Sequence, residues 1–243
     1  MACGGGEWRR SLEVLEEMKE DERARGPDVV SYNLAMAACG EAGEWQTALG
    51  LLEEMATNQV KPTRATFQAL MLGCSVAGQC KRAVKLLDLM PTWGVDPGVD
   101  TYSAAISACG RGGNAESVIH ILKAMREKGK QADLVAYTAA LEACFGCGDW
   151  DRGLAVLAEM LQAPALAKDS HAKADCYNKA LRACVRARQW DHGLSLLQQM
   201  VPLGLSPDQR LAMAATRACS KGKRWREAKA LRAELQRTGT IST

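Results

Sequence analysis

The sequence predicts an all-α protein, a right-handed α-solenoid of tandem helix-turn-helix repeats of about 35 residues. The first observation is that an aromatic residue, a cysteine and a methionine recur together, at steps of 35 residues with one step of 40. The second is that apolar residues within each repeat follow the i, i+3, i+4, i+7 spacing of one helix face. A single hairpin cannot bury such a face, so neighbouring hairpins must stack. The recurring residues are Tyr32, Phe67, Tyr102, Tyr137 and Tyr177; Cys39, Cys74, Cys109, Cys144, Cys184 and Cys219; and Met55, Met90, Met125, Met160 and Met200, with Leu235 in the last methionine position.

Residues 29–63 illustrate the elements of one repeat. The first helix is predicted by apolar residues on one face, namely Tyr32, Ala35, Met36 and Cys39. Gly40–Glu44 breaks this pattern and predicts a turn. The second helix has its own apolar face, formed by Trp45, Ala48, Leu49, Leu52 and Met55. Lys61-Pro62-Thr63 ends the unit, because a residue that precedes proline is disfavoured in the helical conformation.

The other units follow in the same frame. Residues 1–28 predict a truncated repeat that keeps only its second helix, from Glu7 to Lys19. The full units are 29–63, 64–98, 99–133, 134–173 and 174–208, and 209–243 is a degenerate repeat or cap. The fourth unit carries the extra residues, and we expect Ala163–Lys173 to form a surface loop. Five tryptophans open second helices and are expected to pack at the hairpin corners: Trp8, Trp45, Trp150, Trp190 and Trp225.

Composition limits the possible classes of function. The net charge of +3 permits nucleic-acid binding without requiring it. Six of the ten cysteines occupy one position per repeat, which is typical of a small buried apolar residue in a reducing compartment. The chain has no apolar run long enough for a membrane span. Its first residues match neither a signal peptide nor a transit peptide.

Catalytic and metal-binding patterns are weak. Cys144 and Cys147 have the spacing of a metal-ligand pair, but no second pair completes it. His120, His171 and His192 are scattered, and no phosphate-binding glycine loop follows a strand. We therefore expect no enzymatic activity, no metal, no cofactor and no small-molecule substrate.

The detailed pattern resembles the pentatricopeptide repeat family. The matching segments in the first full unit are Val29-Val30-Ser31-Tyr32-Asn33, Ala38-Cys39-Gly40-Glu41-Ala42-Gly43, Ala48-Leu49-Gly50-Leu51-Leu52-Glu53-Glu54-Met55 and Lys61-Pro62. The same frame returns at Leu134–Thr138 and Asp175–Asn178. Tetratricopeptide repeats have a similar period, but their aromatic-Leu-Gly and Ala-Phe signature is absent.

The resemblance implies binding of single-stranded RNA, one base per repeat. In the family, the residue after the tyrosine and the last residue of the unit face the base. These pairs are Asn33 with Thr63, Gln68 with Gly98, Ser103 with Asp133, Thr138 with Lys173, and Asn178 with Asp208. The residues expected to clamp the base from the side are Val30, Ala65, Asp100, Val135 and Asp175. The basic residues expected at phosphates are Arg111, Arg186 and Lys221.

The chemistry of these pairs suggests a base order. Asn33 and Asn178 can donate and accept towards a pyrimidine, whereas an ionised Asp133 or Asp208 only accepts and so favours a base with an N–H donor. A small hydroxyl such as Ser103 leaves room for a purine. The predicted RNA is pyrimidine, any base, purine, purine, uracil. Gln68 with Gly98 has no clear preference, and the carboxylates of Asp100 and Asp175 would repel phosphates.

Two functions remain open. The first is an RNA-binding adaptor in RNA processing, stability or translation, located by family resemblance in the mitochondrion or chloroplast. It would hold about five nucleotides in its groove. The second is a structural subunit of a large organellar complex, such as a ribosome, bound mainly through protein subunits. The near-neutral charge, the two acidic clamp positions and the truncated first repeat favour the second function.

Overall fold

A computed structural model describes residues 6–20, 26–163, 170–205, 207–209, 213, 229 and 233. The helices in this part of the chain are α1 (Glu7–Glu20), α2 (Val29–Ala42), α3 (Trp45–Thr57), α4 (Arg64–Val76), α5 (Cys80–Leu89), α6 (Val99–Arg111), α7 (Ala115–Glu127), α8 (Leu134–Gly146), α9 (Trp150–Gln162), α10 (Ser170–Ala187) and α11 (Trp190–Met200). A short 3₁₀ helix, Met90–Trp93, extends α5. The described residues contain no strand, and the all-α class of stacked helical hairpins is confirmed.

Two compact units divide the chain, Met1–Ala136 and Tyr137–Thr243. In the first unit, the first helix of each hairpin stacks on the first helix of the next, with α2 on α4 and α4 on α6. The second helices fill the other layer, and α3, α5 and α7 each contact the first helix of their own hairpin. In the second unit, α10 packs against α9 and α11.

The three recurring residue types form the cores of both units, as the periodicity predicts. Tyr32, Phe67 and Tyr177 are fully buried, and the repeated cysteines and methionines of the described residues are at most 1% exposed. The cysteines are free thiols, and burial raises the pKa of Cys74 to about 11. They act as small apolar side chains whose thiolate form is disfavoured. Cys219 and Leu235 lie outside the described residues.

Two local predictions are corrected. Gly40 belongs to α2 and not to the turn, which is limited to Gly43 and Glu44, with Gly43 in the left-handed conformation at φ 78°. Residue 40 must be glycine because α2 and α4 approach closely there: a Cβ on Gly40 would lie 2.7 Å from the carbonyl oxygen of Ala69. The second correction concerns the expected loop Ala163–Lys173. α10 begins at Ser170, so the last four residues of that segment are helical; residues 164–169 lie outside the described part.

Trp45 and Trp150 contact residues of other helices, as expected for tryptophans at hairpin corners, whereas the contact of Trp8 is with the neighbouring Arg9. Trp150 contacts Phe145, with ring centroids 5.2 Å apart, and stacks on His192 at 5.6 Å. The Arg82 guanidinium lies over the ring of Trp45. Because protein side chains already contact these rings, a packing role for the tryptophans is favoured over stacking on RNA bases. The side chain of Trp190 and all of Trp225 lie outside the described residues.

Candidate nucleic-acid interface

In the first four units, the fifth-residue readers lie in the first two turns of the first helices, whereas Asn178 lies in the third turn of α10, because that helix starts at Ser170. Units 2 to 4 start at Arg64, Val99 and Leu134, and α4, α6 and α8 begin at these residues. The last residue of a unit therefore stands immediately before the next first helix, opposite the fifth residue of its own unit. This placement brings side chains that are 30 positions apart in the chain to one edge of the helix layer.

The first pair forms a small hydrogen-bonded cluster. The Asn33 Nδ2 donates to the Thr63 Oγ1 at 3.4 Å, and the Thr66 Oγ1 donates to the Asn33 Oδ1 at 2.6 Å. The Thr66 hydroxyl accepts in turn from the Thr63 backbone N–H at 2.9 Å. Thr66 is fully buried, so it holds the Asn33 amide in one orientation. The sequence reasoning missed Thr66, whose only signal was its place three residues after Thr63.

The third pair is joined directly. The Ser103 Oγ lies 2.8 Å from the Asp133 Oδ1 and 3.0 Å from the Val99 carbonyl oxygen, and its single hydrogen can be donated to either. The Ala136 N–H also donates to the Asp133 Oδ1, at 2.8 Å, so that Asp133 caps the start of α8. Both contacts use Oδ1, which leaves Oδ2 as an acceptor for a donor on a base.

The fifth pair, in the second unit, is joined through the backbone. The Asp208 N–H donates to the Asn178 Oδ1 at 2.8 Å. The amide nitrogen of Asn178 is thereby directed away from this contact and can donate to a carbonyl oxygen such as those of uracil. Asn178 is half-buried and Asp208 is exposed, so both side chains are accessible to a base at the surface.

The other two pairs do not follow this arrangement. Gly98 offers no side chain, and the Gln68 Nε2 donates instead to the Asp100 Oδ2 at 3.4 Å. Lys173 lies within the first turn of α10 and not before it, because that helix starts at Ser170. Lys173 therefore does not occupy the position that Thr63, Gly98 and Asp133 share. Thr138 is half-buried in the first turns of α8.

The candidate clamp residues are all exposed. Val30 is 62% and Val135 is 57% exposed, so both present an apolar side chain to solvent that a base could cover. Ala65 is exposed as well. Asp100 receives the Gln68 amide, and Asp175 lies 3.8 Å from the His171 Nδ1. Each acidic clamp candidate therefore has a protein side chain beside it, and its contact with a base stays a prediction.

The candidate phosphate contacts differ in their surroundings. The Arg111 Nη1 donates to the Ser75 carbonyl oxygen at 3.1 Å, so this guanidinium is partly engaged at the C-terminal end of α4. Arg186 lines a cavity of about 570 Å³ between α8 and α10. Lys221 lies outside the described residues.

The cavity beside Arg186 holds two further cations that sequence reasoning missed. Lys179 and Arg182 line it together with Arg186. The Lys179 Nζ pairs with a Glu142 carboxylate oxygen at 2.9 Å across the cavity. The i, i+3, i+7 spacing of the three cations along α10 is the signal that could have revealed one basic helix face.

Other chemistry is limited in the described part of the chain. No group of three or more histidine, cysteine or acidic residues there could hold a metal ion. Cys144 is buried whereas Cys147 is exposed. None of the described helices combines the length and the apolar character that crossing a membrane requires.

Comparison with known families finds three matching profiles. A profile described as "PPR repeat family" matches residues 27–76, "Pentatricopeptide repeat-containing protein" matches 63–160, and "PPR repeat" matches 175–201. No curated protein sequence matches the chain significantly.

Solved structures are similar over nearly the whole chain. The pentatricopeptide repeat protein PPR10 from maize is 25% identical with a TM-score of 0.69, over 97% of this chain and 34% of PPR10. A structure of PPR10 in complex with an 18-nt psaJ RNA element gives a TM-score of 0.59 at 25% identity, over 98% of this chain and 37% of that one. The PPR domain of Arabidopsis thaliana protein-only RNase P 1 in complex with tRNA is 19% identical with a TM-score of 0.58, over 75% of this chain and 94% of that domain. The chain thus spans about a third of the length of PPR10.

Proposed function

Because the chain belongs to the pentatricopeptide repeat family, we propose that it binds single-stranded RNA and reads about one base with each full repeat. RNA-bound relatives support RNA as the partner. The observation that carries the proposal is the geometry of the reader pairs. In three of five pairs, the two residues lie within hydrogen-bonding distance of each other: Asn33 with Thr63, Ser103 with Asp133, and Asn178 with Asp208.

The proposed base order follows from what each pair offers. The Asn33 amide keeps a donor and an acceptor for a pyrimidine, and the Asp133 Oδ2 accepts from the N1–H of guanine. The Asn178 amide donates to a carbonyl of uracil. The preferred RNA is therefore pyrimidine, any base, purine, purine, uracil, with the fourth position the least defined because Lys173 lies inside α10.

Affinity is proposed to come from basic side chains near the phosphates. Arg186, with Lys179 and Arg182 on the same face of α10, is the strongest candidate, and Arg111 contributes with the part of its guanidinium that Ser75 does not engage. Each neutralised phosphate changes the slope of log K against log salt by about −0.7 for a single strand. A binding site with three or four such contacts has a shallow salt dependence.

The cellular role that fits this chemistry is an adaptor without catalytic activity. It would protect, remodel or present a transcript in RNA processing, stability or translation. Family membership favours the mitochondrion or the chloroplast. Five bases specify a target only in a small transcriptome, which an organelle provides.

The experiment is selection from a randomised pool of short RNAs, followed by sequencing and a salt titration of the selected RNA. We expect enrichment of the proposed order and loss of the uracil preference in the double variant Asn178→Ala, Asp208→Ala. Lys123→Ala is the matched control, because Lys123 is exposed on the second helix α7, away from the readers. Selection of the same RNA by the double variant would contradict the reading role of the fifth pair.

A structural subunit of an organellar ribonucleoprotein or other complex is the second candidate. The observation in its favour is the pair of exposed carboxylates, Asp100 in the first turn of α6 and Asp175 in the second turn of α10, where phosphates would be repelled. Absence of any enrichment in the selection, with weak binding to all RNAs, would favour this alternative. The following experiment is then crosslinking of the chain in organelle extracts to identify protein subunits.

A further inference from the structure

The side chain missing at Gly98 is replaced in space by that of Arg64. A Cβ placed on Gly98 would lie 3.5 Å from the Arg64 Cζ and Nη1 and 3.6 Å from its Nε. Thr63 and Asp133, at the equivalent positions of other units, carry polar side chains there. The guanidinium of Arg64, the first residue of α4, therefore stands where the second unit would otherwise present its last reader.

The backbone at Gly98 does not require glycine. Its φ of −82° and ψ of 173° are extended values that any residue adopts, and it precedes α6 without a side-chain cap. Serine or aspartate would cap the helix better. Because glycine has no side chain, nothing at residue 98 competes with the guanidinium for this space, although a Cβ alone would still fit at an ordinary contact distance of 3.5 Å.

Arg64 keeps most of its donors. Its Nη2 donates a long hydrogen bond to the Asp96 carbonyl oxygen, at 3.4 Å, and its charge, after that of Lys130, helps to lower the pKa of the Asp96 carboxyl group. Nη1 and Nε face the space above Gly98. A guanidinium is always charged and has five N–H donors in a fixed plane, so this group can only donate.

Gln68, on the other side of the pair, is oriented by Asp100. Its amide nitrogen is directed to the Asp100 carboxylate at 3.4 Å, which turns its Oε1 away as an acceptor. Asp100 therefore positions Gln68 and does not clamp a base. The second unit presents a donor, from Arg64, and an acceptor, from Gln68.

We propose that Arg64 is a specificity-determining residue and that Arg64 and Gln68 together select a keto base, with guanine preferred over uracil, at the second position of the RNA. This inference rests on the proposed function and replaces "any base" at that position. Guanine and uracil present a carbonyl oxygen beside an N–H, which matches a donor beside an acceptor. Guanine has the further acceptor N7 beside O6, which a guanidinium can engage with two parallel hydrogen bonds.

Adenine and cytosine are disfavoured for the complementary reason. Each presents an amino group beside an unprotonated ring nitrogen. The amino group would face the donors of Arg64, and the ring nitrogen would face the Gln68 oxygen. Rotation of the Gln68 amide could relieve the second mismatch only by turning its oxygen to the Asp100 carboxylate.

The test uses the full chain and four RNAs of the proposed order that differ only at the second base, with affinity measured by fluorescence anisotropy. We expect guanine to bind about tenfold more tightly than adenine or cytosine, with uracil between them. Arg64→Ala should reduce the differences among the four RNAs to less than about twofold. Arg64→Lys should keep the charge and most of the affinity but lose the preference for guanine over uracil, because an ammonium lacks the planar fork.

Control variants separate this inference from the proposed function. Gly98→Ala adds a Cβ at ordinary contact distance from Arg64 and should preserve the preference. An equal loss of affinity for all four RNAs in Arg64→Ala would make Arg64 a phosphate contact and overturn the inference. Equal binding of the four RNAs by the unchanged protein, with discrimination retained for uracil at the fifth position, would overturn the inference alone. Absence of discrimination at both positions would overturn the proposed function as well.

Discussion

Replacement of Gly40 by alanine tests how closely the first helices stack. Gly40 in α2 faces the backbone of α4, where a Cβ would lie 2.7 Å from the Ala69 carbonyl oxygen and 3.3 Å from the Gly73 nitrogen. A carbon–oxygen contact is comfortable at about 3.3 Å or more. The helices would therefore have to separate by about 0.6 Å at this point. Since both contacted atoms belong to the backbone, no side-chain rotation can relieve the overlap.

The expected sign is the opposite of what helix propensity predicts. In the interior of a helix, alanine is more favourable than glycine by about 1 kcal/mol. Overpacking a well-packed interface costs about 1–3 kcal/mol, and a backbone overlap belongs in the upper half of that range. The free energy of unfolding should therefore fall by about 1–2 kcal/mol in Gly40→Ala.

Gly50→Ala is the matched control. Gly50 lies inside α3, and a Cβ there would meet nothing within 4 Å. Only the propensity effect remains, so the free energy of unfolding should rise by about 0.5–1 kcal/mol. Both variants are measured by urea unfolding with far-UV circular dichroism. A stabilised Gly40→Ala, equal to Gly50→Ala, would refute the close approach of α2 and α4.

Three further outcomes are expected. Glu54→Ala removes the acceptor of the Tyr32 hydroxyl, now at 2.7 Å, and should lower the free energy of unfolding by about 1 kcal/mol in a urea titration; an unchanged midpoint would count against this contact. Asp133→Asn keeps an oxygen for the cap of α8 but adds a donor, so RNA selection should show the third base moving from guanine towards adenine. An unmoved third base would mean that Asp133 does not face the RNA. Cys147 is exposed, whereas burial raises the pKa of Cys74 to about 11 and leaves about one thiolate in a thousand at about pH 8. Peptide mass spectrometry after brief alkylation should therefore find Cys147 modified first, and comparable labelling of Cys74 would show that its core position is open.

The core of the fold could be predicted from the sequence because the repeat amplifies weak signals. One tyrosine or methionine at helical spacing indicates little, but Tyr32, Phe67 and Tyr102 in one register predict three equivalent helices. All three are at most 3% exposed. The starts of α4, α6 and α8 coincide with the predicted unit starts for the same reason. α10 starts at Ser170, four residues before the predicted start of the fifth unit. The difference falls in the insertion, which has no counterpart in the other repeats, so the repeat pattern could not predict that part of it is helical.

The candidate site was predicted only as a set of positions. The resemblance assigned Ser103 and Asp133 as a pair, and the structure brings them to 2.8 Å, but their reading of a base remains a prediction. Thr66, which holds the Asn33 amide, is not among the positions that the resemblance assigns to base reading. Residues that support a reader come from the neighbouring helix, and the periodic pattern does not specify which of its side chains reaches across.

The sequence by itself determined the class of the fold and the composition of its core, and its resemblance to the family gave the chain positions that are expected to face RNA. Those properties depend on periodicity, which is a property of the chain alone. Only the tertiary structure decided that Gly40 is a contact between helices and that Arg64 fills the space beside Gly98. Both depend on residues far apart in the chain that stacking brings together: a Cβ on Gly40 would lie 2.7 Å from the Ala69 carbonyl oxygen, and a Cβ on Gly98 would lie 3.5 Å from the Arg64 Cζ. Sequence spacing specifies the face on which a residue lies, whereas the packing of the next helix decides which atoms that residue meets.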